Sequence, residues 1–138
     1  MKQAGDSLNV RSTPARPRSF ASLALATVAV VCSTGLAHAT GNAARGQTLY
    51  KGCADCHSIN ENAVGPMHKG VVGRKAGSVP GYDYSADLKN SGIVWTEDNL
   101  DKWLVGPQAM VPETKMFFDV PDAQDRADII AYLKEKAR

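Results

Sequence analysis

The pentapeptide Cys53-Ala54-Asp55-Cys56-His57 constrains this chain more than any other stretch. Two cysteines separated by two residues and followed directly by a histidine are typical of a covalent attachment site for a c-type haem. In such a site each thiol adds to a vinyl group of the porphyrin, and the imidazole of His57 ligates the iron from the proximal side. The motif therefore predicts a fold built around one covalently bound haem.

Two other uses of paired cysteines fit the rest of the sequence less well. A redox-active dithiol of the thioredoxin kind lies beside a strand–helix–strand pattern, and none surrounds Cys53 and Cys56. A structural zinc site needs about four Cys and His ligands, and the sequence has no second cysteine pair. The third cysteine, Cys32, lies in an N-terminal leader. We therefore expect Cys53 and Cys56 to bind haem.

The first 39 residues have the three regions of a secretory signal peptide. A basic start is followed by an apolar run over residues 20–31 and by the small-x-small pattern Ala37-His38-Ala39. The alternative is an uncleaved membrane anchor, since the stretch from Phe20 to Ala37 is near spanning length. It is disfavoured because this stretch is diluted by Ser22, Thr27, Ser33, Thr34 and Gly35. We expect a cleaved signal peptide over residues 1–39, a haem-binding domain over residues 40–138, and export to the periplasm.

Cleavage of this leader would change the charge balance of the protein. Four of the 16 Lys and Arg residues and one of the 14 acidic residues lie in residues 1–39, which leaves 12 basic and 13 acidic residues. A net charge near −1 gives no support for nucleic-acid binding. The remaining 99 residues are few for a self-sufficient core, and a buried porphyrin would supply part of the apolar interior.

Helical signals occur at both ends of the domain and once between them. Asn42 is predicted to cap a first helix that reaches about Asp55. Thr96 is predicted to begin a second helix, because acidic residues and then a helically spaced apolar face follow it. The last helix is expected to open near Asp119, with Pro121 in its first turn.

The stretches between these helices are read as loops. Residues 58–95 are rich in glycine and proline, and residues 108–118 follow a Gly-Pro pair. Compact domains normally avoid loops of this length, but a central prosthetic group explains them. We therefore predict a small all-α domain in which three to five helices and long loops wrap around one haem.

The sequence offers several candidates for the sixth ligand of the iron. A methionine thioether opposite a histidine raises the haem potential and favours electron transfer. Met110 and Met116 lie in a proline-bounded loop between two helices. Met67 and His68 follow His57 by about ten residues, from where the far face of a haem is hard to reach. From the residues alone Met116 is favoured, while Met110 and His68 stay open.

A few polar groups could complete the site around the ligands. A metal-bound imidazole usually donates its second N–H to a carbonyl or carboxylate, and the carbonyl of Pro66 lies nine residues after His57. An ordinary turn proline is the alternative. Arg74, Tyr84 and Trp95 could each donate to a haem propionate, or could be ordinary surface or core residues.

The order of these motifs resembles that of the class I cytochromes c, the mitochondrial and bacterial periplasmic electron carriers. The resemblance covers nearly all of residues 40–138 and extends into residues 126–133 of the last helix. Its most specific part is the Pro-x-Thr-Lys-Met loop combined with a Gly-x-x-Trp stretch. The matching segments are Cys53-Ala54-Asp55-Cys56-His57, Gly65-Pro66, Gly73-Arg74-Lys75, Gly81-Tyr82-Asp83-Tyr84, Gly92-Ile93-Val94-Trp95 and Pro112-Glu113-Thr114-Lys115-Met116.

The resemblance implies a role for each matching residue. It implies that Met116 is the distal ligand and that Pro66 accepts a hydrogen bond from His57. It also implies that the first helix crosses the last one at the face formed by Gly46 and Tyr50. Further residues are implied to bind the propionates or to cover the haem: Arg74, Tyr84, Trp95 and Thr114 for the propionates, and Phe118 as the aromatic cover. Trp103 stands where many relatives carry a tyrosine near the methionine sulfur.

By the same resemblance we expect a monomeric periplasmic carrier of single electrons rather than an enzyme. The implied partners are a cytochrome bc complex as donor and a terminal oxidase, reaction centre or reductase as acceptor. The alternatives are a membrane-tethered subunit of one complex, an open-site haem enzyme, and a ligand-binding haem protein. Because residues 40–138 lack the lysine excess of the mitochondrial protein, long-range electrostatic steering should be weak.

Overall fold

The computed structural model describes residues 40–138, and the predicted leader, residues 1–39, lies outside the described residues. This part of the chain is helical, and within it the only β-pairing is one isolated bridge between Lys75 and Val94. The all-α prediction is confirmed. The helices are α1 (Ala43–Leu49), which continues into a 3₁₀ turn (Tyr50–Gly52), α2 (Ala86–Asn90), α3 (Glu97–Val105), α4 (Pro107–Met110) and α5 (Ala123–Lys136).

Two of the predicted helix starts are confirmed by their caps. The side chain of Asn42 accepts hydrogen bonds from the backbone N–H groups of Ala44 and Arg45 at the start of α1. The hydroxyl of Thr96 accepts from Asn99 N at the start of α3. Each cap satisfies backbone donors that have no partner within the helix, which is why a short polar residue marks the position in the sequence.

The predicted boundaries at the two ends of the domain were wrong. Helix α1 ends at Leu49 and tightens into the 3₁₀ turn, so it stops short of Asp55. Helix α5 is capped by Asp122, whose carboxylate accepts from Asp125 N at 2.8 Å, and not by Asp119. Pro121 therefore precedes the cap instead of lying in the first turn.

Two short helices lie in stretches that were predicted to be loops. Ser85 caps the five-residue α2 within residues 58–95. Pro107 occupies the first position of the four-residue α4, where its missing N–H costs nothing. Pro107 thus begins a helix as well as following the end of α3. Both helices are too short to show an apolar period in the sequence.

Helices α1 and α5 cross at Gly46, which is buried. A Cβ atom at this position would lie 2.9 Å from Tyr132 Cβ and closer still to the backbone of Asp128. The buried Asp128 carboxylate accepts from Asn42 N at 2.7 Å and from Arg45 at 2.6 Å. These bonds lower the pKa of Asp128, the one from the Asn42 N–H most of all. The crossing implied by the resemblance is confirmed.

Helix α3 packs against α5 and is tied to it by side chains. The Nε atom of Arg126 donates to Asp101 Oδ1 at 2.7 Å, and another nitrogen of the same guanidinium donates to Val120 O at 3.0 Å. Helices α1, α3 and α5 therefore form a frame to which the long loops attach. Between residues 40 and 138 no helix combines the length and the apolar character needed to cross a membrane.

Candidate haem site

An apolar cavity of about 390 Å³ lies between the helical frame and the long loops. Its helical walls come from α2, α3 and α5, through Leu88, Leu100 and Ile129 among others. All ten residues predicted to hold a haem or its iron line this one cavity: Cys53, Cys56, His57, Pro66, Arg74, Tyr84, Trp95, Thr114, Met116 and Phe118. The structure therefore brings together residues that span most of the described chain.

The two cysteines and the histidine lie on one tight turn that follows the 3₁₀ segment. Backbone N–H groups of Cys56 and His57 both donate to Cys53 O, at 3.1 and 2.9 Å. Neither cysteine forms a disulfide within the described residues, and burial raises the pKa of the Cys53 thiol. Thiols that work in disulfide exchange have a lowered pKa instead. The environment of Cys53 therefore disfavours a redox dithiol and is compatible with thioether formation.

The imidazole of His57 is fixed by backbone groups. Its Nδ1 lies 2.7 Å from Pro66 O. Because a carbonyl only accepts, Nδ1 carries the proton and Nε2 keeps its lone pair. Burial lowers the pKa of His57, which favours the neutral ring that binds metals. Gly65 lies so close that a Cβ atom there would be 2.6 Å from Nδ1.

A second histidine, His68, packs against His57, and the sequence analysis did not predict this contact. The ring of His68 stacks on that of His57, with centroids 4.2 Å apart and planes inclined by 19°. Its Nδ1 lies 3.0 Å from Tyr50 Oη. Burial lowers the pKa of His68 to about 3. Since His68 lies against His57, it is badly placed to ligate the opposite face of a haem. The only signal was a histidine two residues after Pro66.

Of the candidate methionines, only Met116 lines the cavity within the described residues. The indole Nε1 of Trp103 donates to its sulfur at 3.1 Å. Trp103 is buried on α3, and its ring packs edge-on against Trp95 with centroids 5.0 Å apart. The indole thus connects helix α3 to the loop that carries Met116. Met110 is half-buried against the core elsewhere.

The loop that presents Met116 is held by a few polar contacts. Thr114 is 2% exposed, and its carbonyl accepts from Gln108 Nε2 at 2.6 Å. Lys115 donates to the carboxylate of Asp83 at 2.6 Å and to the Asp83 carbonyl at 2.7 Å, so it joins this loop to the segment before α2. This exposed pair lowers the pKa of Asp83.

Arg74 and Tyr84 are two of the four residues predicted to bind propionates, and both line the cavity. The guanidinium of Arg74 donates to the carbonyls of Met67 and Lys69, at 2.8 and 2.5 Å. Two of its five N–H groups are thereby used, and three remain. Burial lowers the pKa of Arg74 and raises that of Tyr84. Partly buried donors of this kind suit carboxylates that enter an apolar cavity.

Large apolar side chains surround the mouth of the cavity. Val64 and Phe117 are 74% and 77% exposed although both line the cavity. Phe118, predicted to cover the haem, lies at the same mouth and is 52% exposed. Such exposed apolar groups commonly mark an interaction site.

The donor set fits a covalently attached haem. Two thiols and a neutral imidazole lie on one turn, a thioether comes from a distant loop, and apolar walls enclose the space between them. Thioether and imidazole are axial ligands typical of electron-transfer haems. The side chains that line the cavity therefore match the chemistry of the porphyrin as well as that of its iron.

Comparison with known proteins agrees with this fit. Residues 43–136 match the family model described as "Cytochrome c". The chain is 46% identical over 115 residues to cytochrome c2 of Rhodomicrobium vannielii, covering 80% of this chain and 91% of that protein. It is 44% identical to cytochrome c2 of Blastochloris viridis, covering 70% and 80%.

Solved structures show the same fold. Cytochrome cH from Methylobacterium extorquens superposes with a TM-score of 0.68 at 47% identity, covering 70% of this chain and all of that one. Ferricytochrome c2 from Rhodopseudomonas palustris superposes with a TM-score of 0.65 at 39% identity, covering 67% and 96%. With a family match over most of the described residues, a shared fold and a cavity that fits haem, the chain belongs to the cytochrome c family: it is a cytochrome c2-like electron carrier with one covalently attached haem c, and not an enzyme.

Proposed function

We propose that His57 and Met116 are the axial ligands of the haem iron. The observation that carries the proposal is that the cavity containing the Cys53–His57 turn also contains Met116, while Met67 and Met110 do not line it. Because His57 Nδ1 donates to Pro66 O, the lone pair of Nε2 is available to bind the iron. The Met116 sulfur is held by Trp103 and offers its remaining lone pair.

This ligand set suits a carrier of single electrons. When bound, haem supplies a one-electron Fe(III)/Fe(II) couple, whose potential a methionine ligand raises. Because the Pro66 carbonyl and the Trp103 indole fix the two ligands from the protein side, neither side chain has to move when the charge changes. Donors for the propionates come from the half-buried Arg74 and from the buried Tyr84, Trp95 and Thr114. Phe118 covers the haem edge at the mouth of the cavity.

The exposed side chains at the mouth support a docking role for that edge. Val64, Phe117 and Phe118 offer an apolar contact for a redox partner, and the nearby Lys115 is paired with Asp83. We infer a monomer that works in the periplasm, between a cytochrome bc complex and a terminal oxidase, reaction centre or reductase. The mass of the exported protein tests the location, since a retained apolar run over residues 20–31 would contradict a free carrier.

Substitution of Met116 by alanine tests the ligand assignment. We expect the oxidised Met116→Ala protein to lose the sulfur-to-iron charge-transfer absorption and to have a lower reduction potential, because the iron loses its thioether. The measurement is an absorption spectrum combined with a redox titration of the purified holoprotein.

The matched control is Met110→Ala, which removes a half-buried methionine that does not line the cavity. It should keep both the absorption and the potential. Retention of the absorption in Met116→Ala together with its loss in Met110→Ala would assign the ligand to Met110. Rapid binding of carbon monoxide by the unmutated reduced protein would favour an open-site haem protein instead.

A further inference from the structure

The buried Tyr50 and the half-buried His68 form a hydrogen-bonded pair against the ring of His57. Tyr50 is 7% exposed, and its hydroxyl lies 3.0 Å from Nδ1 of His68, whose ring stacks on that of His57. Neither residue matches a haem-binding motif in the sequence. The pair joins the end of the first helical segment to the turn that follows Pro66.

Three groups restrict the imidazole of His57, and each restricts a different motion. The carbonyl of Pro66 fixes the position of Nδ1. The backbone at Gly65 prevents the ring from moving towards it, since even a Cβ atom would overlap the ring there. The stacked face of His68 then opposes a tilt of the ring out of its plane.

His68 can do this only if its own ring is fixed. Its backbone N–H donates to Ser58 O at 2.9 Å, but that bond leaves the ring free to turn. The hydroxyl of Tyr50 removes this freedom by its bond to Nδ1. The ring of Tyr50 is in turn packed against Tyr132, with centroids 5.1 Å apart. The chain of contacts thus runs from α5 through Tyr50 and His68 to His57.

Apolar side chains would fill the same space with fewer constraints. Burial of a hydroxyl and an imidazole costs free energy unless the two are hydrogen-bonded, and here they are bonded to each other. Burial also raises the pKa of Tyr50 to about 12, so the hydroxyl keeps its proton. A bonded polar pair fixes an orientation, which apolar packing alone does less well.

We propose that Tyr50 and His68 act as positioning residues that set the plane of the His57 imidazole. This inference rests on the proposed ligation of the iron by His57. In a low-spin ferric haem the proton shifts of the four ring methyl groups depend on the orientation of the axial imidazole. The pair should therefore control that pattern of shifts, independently of its contribution to stability.

Nuclear magnetic resonance of the oxidised holoprotein tests the proposal. We expect Tyr50→Phe to move the haem-methyl shifts, because it removes the bond that orients His68 and keeps the aromatic ring. Tyr132→Phe is the matched control, since it removes a hydroxyl from the same aromatic cluster that has no hydrogen bond among the described residues. It should leave the methyl shifts unchanged.

A double-mutant cycle shows whether the two residues act as one unit. His68→Leu should also move the methyl shifts, and Tyr50→Phe added to it should move them no further. Unchanged shifts in both single variants, with only a loss of stability, would overturn the proposal and leave a packing role. A wild-type spectrum without the resonances of an iron-bound His57 ring would instead contradict the ligation on which the inference rests.

Discussion

The cavity has two sides that are held in different ways. On the His57 side, the ring contacts Pro66, Gly65 and His68, which all follow it within eleven residues of sequence. On the Met116 side, the sulfur receives one hydrogen bond from Trp103, which lies on a different element. The first side is a short closed turn of backbone, whereas the second is a loop tied down by individual side chains.

This difference indicates which of the two side chains, His57 or Met116, is more easily displaced. On the His57 side any displacement has to move several backbone groups and two covalent attachments at Cys53 and Cys56. On the Met116 side a displacement breaks the Trp103 bond and the contacts of Gln108 and Lys115. If His57 and Met116 ligate the iron as proposed, the Met116 bond should therefore be lost before the His57 bond under mildly denaturing conditions. Substitutions on either side of the cavity test whether His57 is held more firmly than Met116.

The largest effect is expected from Gly65→Ala. The new Cβ atom would overlap the His57 ring, which cannot retreat because Nδ1 is bound to Pro66. Overpacking of this kind costs about 1–3 kcal/mol of stability. Because the overlap is severe, we expect Gly65→Ala to lower the free energy of unfolding by about 3 kcal/mol. The measurements are the fraction of protein with covalently attached haem and the free energy of unfolding by denaturant.

Gly106→Ala is the control for this substitution. Gly106 has an extended backbone with φ −179°, and a Cβ atom there meets only Ala109 Cβ at 3.6 Å. Alanine should be tolerated, or should stabilise by about 0.5 kcal/mol through the unfolded state. If Gly65→Ala were as stable as Gly106→Ala, the His57 side would be no more tightly packed than an ordinary loop.

A smaller effect is expected on the other side from Trp103→Phe. The substitution removes the donor to the Met116 sulfur and keeps an aromatic ring near Trp95. A net hydrogen bond is worth about 0.5–1 kcal/mol, so an external ligand such as imidazole should displace Met116 about two- to fivefold more readily. A spectroscopic titration of the oxidised protein measures this displacement.

The rescue variant is Trp103→Tyr, which returns a donor in the form of a hydroxyl. It should lie between the wild type and Trp103→Phe in the same titration. Equal affinities for the external ligand in all three proteins would mean that the indole does not hold the sulfur, and that the loop alone keeps Met116 in place.

The two sides also differ in how much could be predicted from the sequence. The Cys53–His57 turn and the cap at Asn42 depend on neighbouring residues, so short motifs were enough to locate them. Met116 and Met110 lie six residues apart in similar surroundings, and the residues alone left both open. Only the fold shows that Met116 enters the cavity and Met110 does not.

The features that were missed depend on contacts made by the tertiary structure. Tyr50 and His68 are 18 residues apart, and no motif in the sequence predicts that their side chains form a hydrogen bond. Helices α2 and α4 have five and four residues, which is about one turn each and too little for an apolar period. The start of α5 was misplaced because two aspartates precede it and only the geometry shows that Asp122 is the cap.

The smallest effect is expected from Asp83→Asn, which removes the carboxylate that pairs with Lys115 at the Met116 loop. The Lys115 hydrogen bond lowers the pKa of Asp83 in the folded protein. The pair therefore stabilises the folded protein fully at a pH above the pKa of an aspartate in the unfolded chain, about 4. This stabilisation is lost as the pH falls through the lower pKa that Asp83 has in the folded protein. Because both groups are exposed, salt should screen the effect.

The measurement is the denaturant concentration at which the sulfur-to-iron absorption disappears, compared at pH 7 and pH 3 and at low and high salt. The difference between the variant and the wild type should be small, larger at pH 7 than at pH 3, and larger at low salt than at high salt. Glu135→Gln breaks a similar exposed pair with Lys136 on α5, and it should leave this absorption unaffected. If both variants changed the absorption equally, the effect would come from overall charge, and the Met116 loop would not depend on its bond to Asp83.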